Sequence, residues 1–333
     1  MRQFAIAMSF VACLAFASVQ ADESGQTRAE QAGSALIGTK APALKLTTID
    51  GQSIDLAELY GKKAVYLKFW ATWCVPCLQQ MPHFEHAFES EGDDLVVIAI
   101  NTNFNETAEG VKAYRQKHGL KMPIVMDDGR LAAALNLRVT PQHVLIARDG
   151  RIAYVGHLAD ENLDLTIASV RQPNSHANVA KNRDVTRSGA QPVSVRTSSG
   201  QTFSLRDPQG RKETVLVFLS PWCEGYLKDS RPAMSAQCKK VREQMDLQAK
   251  SNTVRWIGIS SGLWANAADL KAYQKENSVQ IPLSLDSTGD LFRSYKVTSV
   301  PTLVVLDPAG HEVKRQSGSD ADLDALLQGA PKT

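Results

Sequence analysis

Phe69-Trp70-Ala71-Thr72-Trp73-Cys74-Val75-Pro76-Cys77 is the stretch that decides the fold. The apolar run from Ala64 to Trp70 reads as a buried strand and feeds directly into two cysteines three residues apart. A helical segment follows, from Cys74 to Ser90. Residues at i and i+3 share a helix face, so the two sulfurs are within reach of each other. Oxidised, they form a small exchangeable disulfide. Reduced, the first thiol sits where backbone N–H groups and the helix dipole favour a thiolate. Such a pair supports thiol–disulfide exchange. The competing uses are a static disulfide or a metal site. Zinc needs a second ligand pair, and the chain has no second Cys-x-x-Cys. His83 and His86 have helical spacing but read as a solvated face. His143 reads as an ordinary strand histidine rather than a copper ligand.

The N-terminus reads as a secretory signal over residues 1–21. Arg2 gives the charge, Phe4 to Phe16 the apolar stretch, and Val19-Gln20-Ala21 a small-residue cleavage site, so the mature chain begins near Asp22. The apolar stretch is too short for a stable membrane span. A lipid anchor at Cys13 is the rival, with a short apolar run before that cysteine. These features predict a periplasmic protein. About 310 residues then remain, enough for two cores. A net charge of +2 without a basic stripe gives no sign of nucleic-acid binding. Four cysteines lie beyond Cys13, namely Cys74, Cys77, Cys223 and Cys238, too few for a disulfide scaffold.

Asp22 to Ser34 is polar and reads as a mobile leader, with ordered structure starting near Gly38. Asp50-Gly51 signals a hairpin. Strands and helices then alternate as far as Val170, which argues for an α/β sheet. The expected strands are 64–70, 95–101, 143–147 and 152–155, with 123–126 a short strand or a loop. The expected helices are 74–90, 106–118, 129–137 and 161–170. Residues 172–191 read as a polar linker. The pattern then repeats after about 150 residues, which means duplicated domains. Trp73-Cys74 corresponds to Trp222-Cys223, and Val139-Thr140-Pro141 to Ser299-Val300-Pro301. The organisation is therefore a domain over 35–171, the linker, and a degenerate copy over 192–330.

With these residues in view, the chain resembles the thioredoxin fold twice over, a central mixed sheet flanked by helices in each half. The first half is similar to the exported TlpA/ResA-like thiol–disulfide oxidoreductases. The Phe69 to Cys77 run, Val139-Thr140-Pro141, the Gly38 to Pro42 entry and Pro82 carry the likeness. The resemblance implies that Cys74 is the nucleophile, Cys77 the resolving cysteine and Pro141 a cis-proline that, with Thr140, supports substrate pairing. It implies that Trp73 shields the site, with Pro76 inside the active-site turn. It also implies protein disulfides or dithiols as partners, apocytochrome among them, a membrane thiol relay as electron donor, and no cofactor. Two departures stand out. Lys68 occupies the place of thioredoxin's buried acid, and Gln80 the place where ResA-like reductases often carry a glutamate. Lys68 either tunes a thiolate or runs its stem along the core with its ammonium in water.

In the second half Tyr226 replaces the second cysteine, so Cys223 lacks a Cys-x-x-Cys partner. Along an unbroken helix Cys238 would lie about 22 Å from Cys223, but Pro232 and Gly225 interrupt the segment. Three readings stay open. The first is a Cys223–Cys238 disulfide, structural or redox-active, near Trp222 and Pro301. The second is a peroxidase-like single thiol at Cys223, which has Ser220 three residues ahead but Leu216 where a peroxiredoxin has proline. The third is two inert thiols in a domain used for binding. For the whole chain the expected function is an exported reductant of protein disulfides. The alternatives are a thiol peroxidase and a non-enzymatic assembly factor for metal or cytochrome.

Overall fold

The strand Ala64–Trp70 is buried at every position, so its residues run continuously apolar rather than alternating. It forms the centre of the first sheet in a computed structural model that describes residues 25–172 and 193–328. The signal segment 1–21, Cys13 and nearly all of the 172–191 linker lie outside the described residues. The chain divides into two compact units.

The first unit contains α1 (residues 25–33), β1 (Lys45–Thr47), β2 (Ser53–Asp55), α2 (Leu56–Leu59), β3 (Ala64–Trp70), α3 (Val75–Gln79) and α4 (Met81–Glu89). There follow along the chain β4 (Leu95–Asn101), α5 (Ala108–His118), β5 (Ile124–Met126), α6 (Arg130–Ala134), β6 (Gln142–Ile146), β7 (Ile152–Gly156) and α7 (Glu161–Val170), of which residues 103–111 and 128–133, holding the start of α5 and most of α6, group with the second unit. The five-stranded sheet has the order β5-β4-β3-β6-β7. β3 pairs parallel with β4 and antiparallel with β6, setting Lys68 opposite His143. Asp149 and Gly150 turn β6 into β7. Gly150 has φ 78° and Asp149 accepts from the Arg151 amide, which is why this turn takes Asp-Gly.

The second unit contains β8 (Ser194–Arg196), β9 (Thr202–Ser204), β10 (Thr214–Leu219), α8 (Cys223–Ser230), α9 (Pro232–Gln248), β11 (Arg255–Ser261) and α10 (Ala267–Glu276). It continues with β12 (Leu283–Asp286), α11 (Asp290–Ser294), β13 (Thr302–Leu306), β14 (Glu312–Ser317) and α12 (Leu323–Gln328). Its sheet order, β12-β11-β10-β13-β14, reproduces the first with the same parallel and antiparallel senses. Its core gathers Val215, Val217, Met245, Trp256, Leu283, Leu303 and Leu323.

Four expectations need correction. Residues 22–34 are not a bare leader. Over the described part α1 is a helix with Ala29 and Ala32 buried, and Gln26 Oε1 accepts from the amides of His157 and Leu158. The expected helix 74–90 is two helices, broken at Gln80, whose φ −93° and ψ 3° leave the helical region. Pro82 brings about the break, because it has no N–H to continue α3 and instead occupies the first turn of α4. The expected helix 129–137 shortens to Arg130–Ala134. Finally, β12 and β14 are strands that went unassigned. β12 is only four residues long, and β14 is a half-exposed edge strand whose Glu312, Lys314 and Arg315 disguise it.

Candidate active site

Cys74 ends the loop after β3 in an extended conformation, φ −84° and ψ 100°, and caps α3. Its Sγ accepts from the Cys77 amide at 3.3 Å. The structure joins Cys74 to Cys77 with a Cα–Cα distance of 5.2 Å, inside the range that a disulfide requires. Pro76 lies in the first turn of α3, where its missing N–H costs no hydrogen bond. Cys77 is fully buried and Cys74 retains 2% of its surface, while Val75 between them is half-exposed. Cys74 is thus the less deeply buried of the two residues. Trp73 is buried against the site.

The loop before β6 supplies the opposite wall. Thr140–Pro141 is a cis peptide, and Thr140 Oγ1 donates to Cys74 Sγ at 3.4 Å. His157 Nδ1 meets the Pro141 carbonyl at 2.6 Å, so this nitrogen carries the proton. The hydrogen bond ties the proline loop to the end of β7.

Lys68 neither faces water nor meets a carboxylate in the hydrogen bonds seen here. It is wholly buried, and its Nζ donates to the Gln80 carbonyl at 2.9 Å and the Cys77 carbonyl at 3.4 Å. Both acceptors lie at the C-terminal end of α3, where partial negative charge accumulates. The Phe84 ring adds a cation–π contact at 5.4 Å. Burial pushes the Lys68 ammonium down to about 7.

A polar chain runs behind the cysteines. The Tyr66 hydroxyl meets His143 Nδ1 at 2.7 Å, and His143 Nε2 meets Gln80 Oε1 at 2.8 Å. Gln80 Nε2 donates to the His157 carbonyl at 3.2 Å, which turns its oxygen towards His143. His143 therefore carries its proton on Nε2 and accepts from Tyr66. Burial, reinforced by the Lys68 charge, holds His143 well below the ordinary histidine range and so neutral. Tyr66, His157 and Gln26 were not foreseen. No motif marks them: Tyr66 is one more buried residue of β3, and the end of β7 and α1 bring His157 and Gln26 in from a distance.

In the second unit Cys223 opens α8 with Trp222 at the N-cap, and Val300–Pro301 is cis. Arg231, at φ −143° and ψ 63°, turns the chain between α8 and α9, and this bend brings Cys238 back to Cys223. The two form a disulfide with Cα–Cα 6.3 Å, which removes the free-thiol readings in this state.

Two sheets of one strand order, each with a cysteine opening the helix after the central strand and a cis-proline before the next antiparallel strand, define tandem thioredoxin-like domains. The vicinal Cys74–Cys77 pair makes the first of them a thiol–disulfide oxidoreductase site. Residues 36–171 match the Redoxin family and residues 186–314 the AhpC/TSA family. The chain is 33% identical over 131 residues to the thiol-disulfide oxidoreductase ResA of Bacillus thuringiensis strain Al Hakam, covering 38% of this chain and 75% of that protein. It is also 33% identical over 130 residues to the thioredoxin-like protein YneN of Bacillus subtilis strain 168, covering 38% and 76%. A crystal structure of a thioredoxin-family thiol:disulfide interchange protein from Chlorobium tepidum TLS aligns at 28% identity, TM-score 0.35, over 40% of this chain and 97% of its own. The chain belongs to the thioredoxin-like thiol–disulfide oxidoreductases.

Proposed function

We propose that this protein is an exported reductant of protein disulfides that works through Cys74 and Cys77. The observation that carries the reading is the Cys74–Cys77 bond at the head of α3, faced by Thr140 and cis-Pro141. In the reduced enzyme the Cys74 thiolate attacks a client disulfide, forming a mixed disulfide and expelling one client thiolate. Cys77 then attacks Cys74 Sγ, closing the 74–77 bond and releasing the second client thiol. Thr140 donates to Cys74 and steadies its thiolate. The bend at Pro141 leaves neighbouring backbone free to pair with an extended client, and Trp73 shields the sulfurs. Lys68 acts through the Cys77 turn. While charged, it favours thiolate at the pair.

The reductive direction and export follow the resemblance to the TlpA/ResA-like proteins, as do a membrane thiol relay as donor and apocytochrome as a client. In this reading residues 35–171 form the catalytic domain, 172–191 the linker and 192–330 the second domain. Among the described residues no helix is long and apolar enough to cross a membrane.

The test is a trap. Cys77→Ser should accumulate client proteins disulfide-linked to Cys74, recovered from the extracytoplasmic fraction and released by dithiothreitol. Cys74→Ser should recover none. Equal recovery from both variants, or none from either, would refute the exchange role.

A further inference from the structure

The second disulfide occupies the place in its unit that Cys74–Cys77 occupies in the first. β10 runs into Trp222-Cys223 as β3 runs into Trp73-Cys74, and a cis-proline precedes β13 as one precedes β6. The two cysteines differ in exposure. Cys223 is fully buried, whereas Cys238 keeps 8% of its surface and lines a pocket with Pro301, Ser220, Glu224 and Arg242. Ser220 is buried in the wall of that pocket, and its hydroxyl has no hydrogen-bond partner among the described residues. An unmatched buried hydroxyl is costly and marks a place where a polar group can dock. The bend between α8 and α9 is also held by contacts other than the covalent bond. Ser235 Oγ donates to the Glu224 carbonyl at 2.6 Å, and Arg242 grips the Glu224 carboxylate through two nitrogens at 2.7 and 3.0 Å. The amides of Met234 and Ser235 both reach the Arg231 carbonyl at 3.0 Å. These contacts can hold the bend while the bond is open, so the couple can cycle within the folded unit.

We propose that Cys223–Cys238 is a second redox-active couple, opened by attack of a dithiol's thiolate on Cys238 from the pocket beside Pro301. A new sulfur–sulfur bond forms between donor and Cys238 while the Cys223–Cys238 bond breaks. Its electron pair leaves on Cys223 at the N-terminus of α8, where the helix dipole favours a thiolate. The donor's second thiolate then attacks its own sulfur in the mixed disulfide, forming the donor disulfide and freeing the Cys238 thiolate. The two protons of the donor end on Cys223 and Cys238, and two electrons have passed from donor to protein. This couple does not rest on the chemistry proposed for Cys74 and Cys77.

The experiment uses the full mature chain with Cys74→Ser and Cys77→Ser, beside the wild type, equilibrated in reduced and oxidised glutathione and then in dithiothreitol. Alkylation followed by peptide mass spectrometry reads Cys223 and Cys238 separately, and far-UV circular dichroism reports the fold. The expected result is one reversible two-electron transition with unchanged dichroism. When reduction by glutathione is quenched with acid before equilibrium, the glutathione adduct should be found mainly on Cys238 rather than on Cys223. The proposal is overturned by a bond that yields only in denaturant, by loss of dichroism on reduction, or by an adduct mainly on Cys223. Because the readout lies on Cys223 and Cys238 alone, failure of the Cys77→Ser trap leaves this result unaffected, and the reverse also holds.

Discussion

Lys68 shows what one residue can do at this site. Its ammonium is surrounded by the Cys77 and Gln80 carbonyls, the Phe84 ring and, across the strand pair, His143. No charge partner among the described residues offsets its burial, so burial brings its ionisation down to about 7 in the folded protein against 10.5 for the ordinary side chain. Below pH 7 both folded and unfolded chains hold the proton and the burial penalty is complete. Between about 7 and 10.5 the unfolded chain holds a proton that the folded chain has lost, so stability rises with pH across that window. Lys68→Met keeps the length of the stem and removes this dependence. In denaturant titrations of the oxidised protein, the stability of the variant minus that of the wild type should fall with pH by up to about 1.4 kcal/mol per unit. A difference that stays flat from pH 7 to 10 would show that the lysine is ionised as in water. His143 gives a second test. Held neutral by burial and by the Lys68 charge, its ring should show no NMR titration around the ordinary value of 6.5. In Gln80→Glu a carboxylate would take the place of the amide oxygen 2.8 Å from Nε2, and the titration should move up towards the ordinary range. A wild-type His143 that titrates near 6.5 would break the assigned tautomer chain.

Among the elements, the central strands were the most legible in the sequence and α1 the least. Ala64–Trp70 and Leu95–Asn101 appear with the expected ends, because a strand buried on both faces must be an unbroken apolar run. The turn at Asp149-Gly150 has a similarly local cause, namely the backbone it demands. The break at Gln80 was not, although Pro82 was visible, because a proline in the first turn and a proline inside a helix look alike until the hydrogen bonds are placed. Helix α1 was hidden because small residues carry its packing. Ala29, Ala32 and Gly33 are buried without producing an apolar stripe. Gly33 fits so closely that an added Cβ would stand 2.3 Å from Val155 Cβ in β7. Gly33→Ala should therefore cost about 1–3 kcal/mol of stability despite alanine's better helix propensity, since overpacking outweighs propensity here. Combining it with Val155→Ala should recover part of the loss in a double-mutant cycle. Additive losses would mean that α1 does not pack on β7 as described.

For the molecule as a whole, duplication was legible from two short repeats, Trp-Cys and X-Pro, because each marks a backbone constraint that the fold cannot omit. The pairing of Cys223 with Cys238 was not, since it depends on the bend at Arg231, which spacing alone leaves open. The placement of α1 also limits where an exported form can begin. Gln26 takes two amide hydrogen bonds at the end of β7, beside the His157 ring that holds the Pro141 carbonyl. A mature N-terminus beyond residue 26 would remove that support from the active-site loop, whereas cleavage after Ala21 leaves it intact. Intact-mass analysis of the extracytoplasmic protein should therefore show a chain beginning at Asp22. A chain beginning at a lipid-modified Cys13 would replace the soluble form with an anchored one, and a mass that includes Met1 would refute processing. A truncation that begins at Ala35 should lower the rate of disulfide reduction and, unlike the loss of a remote stabilising helix, should shift the NMR signals of His157 and Thr140 even where the protein remains fully folded.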